Sequence, residues 1–339
     1  MRVNREELLK KLESVSVGLA KREIIEQSQC FVFKDGRLMT FNDEVAAWTS
    51  SPLKSEGAVQ AGPLLSLLRK LDEDEIDVEV QEKDGEAGLV VKGKGRKSLV
   101  RMEAEVLLPV EAIEEPGRWR KVPDELMDAL KVAASCCGKD ESHFILTCVH
   151  IAEDRVEASD DFQIVSYPMK TGVGSPMLVR RDSINKVLGV DPTEWAESDG
   201  WLHFRNTAGL TLSCRRYVED YPEVGKFLKV DGSKTKFPKA IDDALDRAQI
   251  FSAESPEGNQ VQVALAPGRL RLEGSGPSGW YREQKKIEYT GKELQFLIEP
   301  RLLLEISRRA SECHVADGRI WIDAGKFTYV ACTGTPEGE

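Results

Sequence analysis

Glu157, Asp160 and Asp161 could do metal chemistry, because clustered carboxylates can hold Mg²⁺ for attack on a phosphodiester. Their spacing weakens that reading: neighbours on a strand point to opposite faces, so an adjacent pair does not converge on one ion. The segment GKGRK at 93–97 has the look of a glycine-rich phosphate loop. It lies between two predicted strands, with no helix N-terminus to hold an anion, so a basic hairpin tip is expected instead. The chain has no Walker A loop, no GxSxG and no HExxH. Its seven cysteines show no CxxC spacing. An odd count fits a reducing cytoplasm, with thiols buried as small hydrophobes and Cys136-Cys137 in a helix. The four histidines are isolated and make no zinc set. No metal, cofactor or catalytic residue is expected.

The elements that would position these residues recur. Pro123 to Asp161 reads as a helix ending near Gly138, a strand from Phe144 to Ile151, a polar turn at Glu153-Asp154 and a second strand. Leu126 and Leu130 on the helix match Leu8 and Leu12 upstream and Ile241 and Leu245 downstream. The turns match as well, KDGRL at 34–38, EDRVE at 153–157 and PGRLR at 267–271. A second helix recurs as AGPLLSLLRKL at 61–71, RRDSINKVLGV at 180–190 and PRLLLEISRRA at 300–310. The period is that of a whole domain. The expectation is an α+β protein of three domains, 1–112, 113–230 and 231–339.

The net charge of −11 argues against nucleic acid if taken alone. Its distribution matters more. Acid concentrates in LDEDEID at 71–77 and around 217–223. Basic residues recur on the second helices: Arg69 and Lys70, then Arg180 and Arg181, then Arg301, Arg308 and Arg309. Such charges usually mark a solvated helix face. Their recurrence in equivalent helices points to a shared basic surface. No apolar run reaches membrane-spanning length, and the N-terminus lacks the apolar core of a signal peptide.

The three tandem copies, taken with four segments, resemble the β sliding clamp, the processivity subunit of bacterial replicative DNA polymerase. VNREELLKKLESVS resembles that family's opening helix, and VEASDDFQIVSYPM at 156–169 a stretch the family writes VATDGHRLA. RRYVEDYPEVGKFL at 215–228 resembles the segment ending in an FPDY-like turn, and IDDALDRAQIFSAES at 241–255 the first helix of the third domain. The match covers essentially the whole chain.

The resemblance implies domains with two helices packed on antiparallel sheets, and two three-domain protomers closing into a six-domain ring around double-stranded DNA. The ring would catalyse no reaction. It would touch DNA without sequence preference through Arg69, Lys70, Arg180, Arg181, Arg301, Arg308 and Arg309. It also implies a partner-peptide pocket walled by Leu146, Ser159, Phe162, Ile164, Pro222 and Val330, and a homodimer seam at Ile250, Phe251, Arg96 and Arg101. Partners would be the replicative polymerase, a clamp loader and a second copy in the cytoplasm of a bacterium or phage-infected cell, with no membrane. Three positions depart from the family pattern: Asp161-Phe162-Gln163 stands for Gly-His-Arg, Val224 for the turn's tyrosine, and Ala331-Cys332-Thr333-Gly334 with an acidic tail for the Met-Pro-Met ending. Two other readings stay open: a metal-dependent DNA-repair or polymerase-associated enzyme on a repeated α+β scaffold, and a clamp-like decoy that binds a polymerase without loading on DNA.

Overall fold

The computed structural model describes residues 1–336 apart from 84–85, 114–115, 230, 239, 256–257 and 311. The end of the acidic tail lies outside the described residues. Six α-helices are described: α1 Arg5–Val15, α2 Ala61–Lys70, α3 Leu126–Ala134, α4 Arg181–Leu188, α5 Ile241–Ser252 and α6 Pro300–Arg309. They alternate with runs of antiparallel strands, so the helix, strands, helix, strands order occurs three times.

The helix ends follow local chemistry. Asn4 caps α1 by accepting from the Glu7 amide at 3.0 Å, and Glu6 and Glu7 sit in the first turn, where the helix dipole favours acid. Leu8, Leu12 and Val15 form its buried stripe at helical spacing. Pro300 opens α6, where its missing N–H costs nothing, and Leu302, Leu303 and Ile306 are buried.

Two sequence expectations shift. Helix α3 starts three residues after Pro123 and ends at Ala134, so Cys136 and Cys137 lie in the turn beyond it and not in the helix. The expected strand from Phe144 begins only at Cys148. Before it, Glu141–Thr147 is a 3-10 stretch, because Asp140 accepts from the Ser142 amide and Thr147 Oγ1 turns back onto the Phe144 carbonyl at 2.7 Å. Such side-chain bonds offer the backbone a local alternative to a ladder.

The chain folds as two compact units. One is Met1–Met127 with Val179–Val218, and the other is Asp128–Leu178 with Glu219–Glu339. The second repeat therefore contributes to both. The reason lies in strand pairing within each unit. In the first, counting strands from each repeat's first helix, the third strand of the first repeat, Val45–Ser50, pairs antiparallel with the last strand of the second repeat, Thr211–Arg215, placing Ala47 opposite Leu212. In the second, the third strand of the second repeat, Gln163–Pro168, pairs with the last strand of the third, Thr328–Cys332, placing Ile164 opposite Val330.

By the same rule two strands remain. Gly279–Lys286, the third strand of the third repeat, ends a four-stranded sheet. Arg96–Glu103, the last strand of the first repeat, is paired on one side along its length. On the other side, among the described residues, only Met102 and Glu103 find strand partners, Val59 and Ala58.

Helix α5 lies close on the sheet that Gly279–Lys286 terminates. A Cβ on Gly274 would stand 2.0 Å from the Ala248 carbonyl oxygen, and one on Gly276 would stand 2.2 Å from that of Phe251. Only glycine permits this approach of helix backbone to strand backbone.

Candidate partner groove and nucleic-acid face

The second unit carries a nine-stranded sheet with two unlike faces. One face is core. Gln163, Val165, Tyr329 and Ala331 are buried there, Tyr329 Oη donates to Gln163 Oε1 at 2.8 Å, and the Arg309 guanidinium of α6 stands over the Tyr329 ring. Side chains alternate along a strand, so the intervening residues form the opposite face.

Register aligns that opposite face in rows. One runs Ser159, Ile164, Val330, Trp321, His314 across five strands. The next, two residues along, runs His150, Glu157, Ser166, Thr328, Asp323. Phe162 lies two residues before Ile164, beside the first row and in the turn before its strand. Asp160 Oδ1 shapes this turn by accepting from the amides of Phe162 and Gln163, both at 2.8 Å. The Phe162 carbonyl accepts from the Cys332 amide at 2.8 Å, and its side chain is 46% exposed. Phe162 is therefore not core.

A segment from Tyr221 to Phe227 crosses this face. Tyr221 stacks on His150 with ring centroids 4.7 Å apart, and the Arg319 guanidinium lies 5.9 Å from the Phe227 ring. Pro222 between them is exposed. The Tyr221 stack rests on a buried polar cluster: His150 Nδ1 is 2.7 Å from Glu157 Oε1, and Arg155 Nε donates to Glu157 Oε2 at 3.0 Å. Ser159, Ile164 and Val330 thus share one row, Phe162 lies beside it, and Pro222 rides on the crossing segment. Leu146 is half-buried, with its carbonyl accepting from the Gly138 amide at 2.8 Å. Sequence reasoning missed Trp321, Phe227 and Tyr221. The alternation in RIWID could have flagged Trp321, whereas nothing in the sequence sets Phe227 beside Arg319.

The carboxylates considered for metal do not converge. Glu157 spends its two oxygens on His150 and Arg155, while Asp160 Oδ2 accepts from Gln163 and from Arg301. Lys94 and Gly95 form a hairpin tip between two strands, with Gly95 at φ +72°.

The seven cations named for DNA lie on or beside α2, α4 and α6. Six are in ion pairs with carboxylates of their own unit: Arg69 with Glu13, Arg180 with Glu44, Arg181 with Asp182, Arg301 with Asp160 and Glu299, Arg308 with Asp242, and Arg309 with Glu305. Arg309 is also packed, its side chain 12% exposed and bonded to Ser135 Oγ at 2.6 Å. Arg69, Lys70 and Arg308 are exposed.

The residues named for self-association stand at the unpaired strands. Ile250 on α5 is 65% exposed, as is Trp280 on Gly279–Lys286 at 64%. The Phe251 ring lies against Gly279. On Arg96–Glu103, Leu99 is 61% exposed, Arg101 is exposed, and Arg96 faces Asp72 and Glu73 at 3.7 and 3.5 Å.

This architecture, end to end, is found in solved structures of bacterial clamps. The DnaN sliding clamp of Bartonella birtlesii bound to griselimycin superposes with a TM-score of 0.84 at 16% identity, covering 99% of each chain. The DNA polymerase sliding clamp of Bacillus subtilis gives 0.83 at 14%, covering 99% of this chain and 98% of that one. The DNA polymerase III β subunit of Thermotoga maritima gives 0.82 at 16%, covering 99% of each. The chain has the sliding-clamp fold. No protein-family model and no curated protein matches its sequence. Among the described residues of this clamp fold, no helix is long and apolar enough to cross a membrane.

Proposed function

We propose that the chain is a DNA sliding clamp of three domains, 1–112, 113–230 and 231–339. Two copies close into a ring around duplex DNA and tether a replicative polymerase and other partners by their peptides. The ring is a non-enzymatic scaffold that a loader places on DNA. The observation that carries this reading is the strand-pairing rule. Third strand joins last strand of the following repeat twice within the chain, and the two leftover strands, Gly279–Lys286 and Arg96–Glu103, are the complements such a junction needs. A second copy would supply each partner, and two identical junctions would close the ring and cover these two edges. The exposed Trp280, Ile250 and Leu99 would be covered there.

The partner groove would be the face carrying Phe162, Ile164, Val330 and Pro222, with Leu146 and Ser159 at its wall. The apolar Ile164, Val330 and Trp321 of one row, beside a crossing segment, suit a short peptide with apolar anchors. Phosphate contacts would come from the cations of α2, α4 and α6.

Self-association tests the reading. Ile250→Asp with Phe251→Asp places two carboxylates where apolar side chains, each worth about 1.5–3 kcal/mol when buried, would be covered. Light scattering should give twice the 37.8 kDa chain mass for the unaltered protein and the single mass for the variant. A monomeric unaltered protein at micromolar concentration, or a variant that stays dimeric, contradicts the proposed junction.

A further inference from the structure

The four-stranded sheet of the second unit turns one face to α5 and the other to solvent. Its strands run in the order Gly279–Lys286, Arg269–Gly276, Val261–Ala266, Leu294–Ile298. Burial alternates along each of them, and Val263, Leu265, Leu270, Leu272 and Phe296 are buried on the α5 side. Register sets the other face in rows. One runs Lys286, Arg269, Ala266, the next Gln284, Arg271, Ala264, Gln295, and the third Arg282, Glu273, Gln262, Leu297. All of these side chains are exposed or half-buried. The face is separate from the candidate groove and from the cations of α2, α4 and α6.

The small Ala264 and Ala266 leave a depression of about 270 Å³ beside Arg269 and Arg271. Gln284 and Gln295 line it as well, and Glu293 is the carboxylate among its walls. Among the described residues, none of Arg269, Arg271 and Lys286 is in an ion pair, so Glu293 does not answer the arginines directly. The third row differs. There Arg282 is already answered, with Nε and Nη2 donating to the two oxygens of Glu273 at 2.8 and 3.0 Å. The Gln295 carbonyl oxygen accepts from Gln262 Nε2 at 3.1 Å, which leaves the Gln295 NH₂ to donate. In a chain of net charge −11, two unpaired guanidinium groups thus share one open depression with amide donors.

We propose that this face docks an extended acidic segment of a partner protein, with Arg269 and Arg271 each taking one carboxylate. The proposal stands independently of the clamp reading. Residues two apart on a strand lie roughly 7 Å apart on one face, and an extended peptide repeats its side chains at the same interval. Alternate acidic residues therefore meet the two arginines in step. A guanidinium fork takes a carboxylate through two parallel hydrogen bonds, and arginine clusters are a recurrent means of holding acidic motifs. Glu293 favours a peptide over a nucleic acid strand. A peptide brings backbone N–H donors that a carboxylate can accept from, whereas a phosphodiester chain brings one negative charge after another. Lys286, in line with Arg269, adds charge at one end of the face.

The test uses the full-length protein and a fluorescein-labelled eight-residue peptide of alternating aspartate and threonine, with affinity read by anisotropy. The unaltered protein should bind it saturably. Arg269→Ala with Arg271→Ala changes two solvent-facing side chains, should leave the melting temperature unchanged, and should weaken binding at least tenfold. Arg269→Lys with Arg271→Lys keeps both charges and loses both forks, and should bind several-fold more weakly than the unaltered protein. No binding by the unaltered protein at about 1 mM, or equal binding by the alanine variant, overturns the proposal. Lysine as good as arginine also overturns it, since charge alone and not the paired forks would then hold the peptide. A labelled single strand of twelve thymidines that binds more tightly than the peptide, and loses that binding in the alanine variant, overturns it in favour of nucleic acid. Self-association lost in the alanine variant by light scattering overturns it in favour of a second copy of this chain.

Discussion

Glu157 supports the crossing segment from below, and its removal gives a sharp test. The side chain is buried, with His150 on one oxygen at 2.7 Å and Arg155 on the other at 3.0 Å. Replacing it with alanine takes the buried partner from His150 Nδ1, whereas Arg155, its side chain 41% exposed, keeps Asp154 at 3.0 Å. Losing a buried hydrogen-bond partner of charged character costs about 1.5–3 kcal/mol. For a unit of this size each kcal/mol lowers the melting temperature by roughly 2–4 °C, so Glu157→Ala should lose roughly 3–12 °C. Glu157→Gln keeps the shape. Its amide oxygen can still accept from Arg155, and its NH₂ can donate to His150 Nδ1 if the imidazole carries its proton on Nε2. Only the charge assistance is lost, about 1 kcal/mol. The assay is thermal unfolding of both variants beside the unaltered protein. Glutamine as damaging as alanine, or alanine within about 1 °C of the unaltered protein, would refute Glu157 as the support of the His150 stack.

Two further outcomes follow from the same surfaces. Phe162→Ala should leave the melting temperature within about 2 °C, since the side chain is half exposed, and should weaken capture of a polymerase C-terminal peptide at least several-fold by fluorescence titration. A large melting loss with unchanged capture would remove Phe162 from the groove. The Glu283 carboxyl is held down to about 2 by Lys285, Tyr281 and Arg247, so its stabilising contribution is complete above the ordinary carboxylate range and is lost as pH falls from about 4.5 towards about 2. Arg247→Ala should raise that midpoint in a carboxyl NMR titration, and an unmoved midpoint would exclude the Arg247 pair.

The fold was legible in the chain because helical spacing at Leu8/Leu12, Leu126/Leu130 and Ile241/Leu245 recurs with the same turns, and such repetition survives where residue identity does not. Local errors arose where side chains competed with the ladder, as at Asp140 and Thr147, which hold a 3-10 stretch where β-branched and aromatic residues suggested a strand. The candidate groove was half legible. Ser159, Ile164 and Phe162 are close in sequence and Val330 comes opposite them by register, but Trp321 and Phe227 arrive only through strand order and a crossing segment. Charge was the least legible. The sequence shows where an arginine is, and only the fold shows that Glu13, Asp182, Asp160, Asp242 and Glu305 already answer five of them.

The placement of the cysteines makes the protein its own labelling reagent. Six thiols are buried, and burial pushes those of Cys136, Cys214 and Cys313 up to about 12 and that of Cys30 to about 11. Cys332 alone is exposed, its amide bonded to the Phe162 carbonyl and its strand position opposite Arg319. A maleimide dye added to the folded protein should therefore attach at one position, beside the candidate groove, without any engineered residue. Partial burial raises the Cys332 pKa as well, so the coupling is slow at neutral pH and quickens as the solution is made alkaline. The dye would stand on the face a peptide must cross, and its emission would register each arrival and departure.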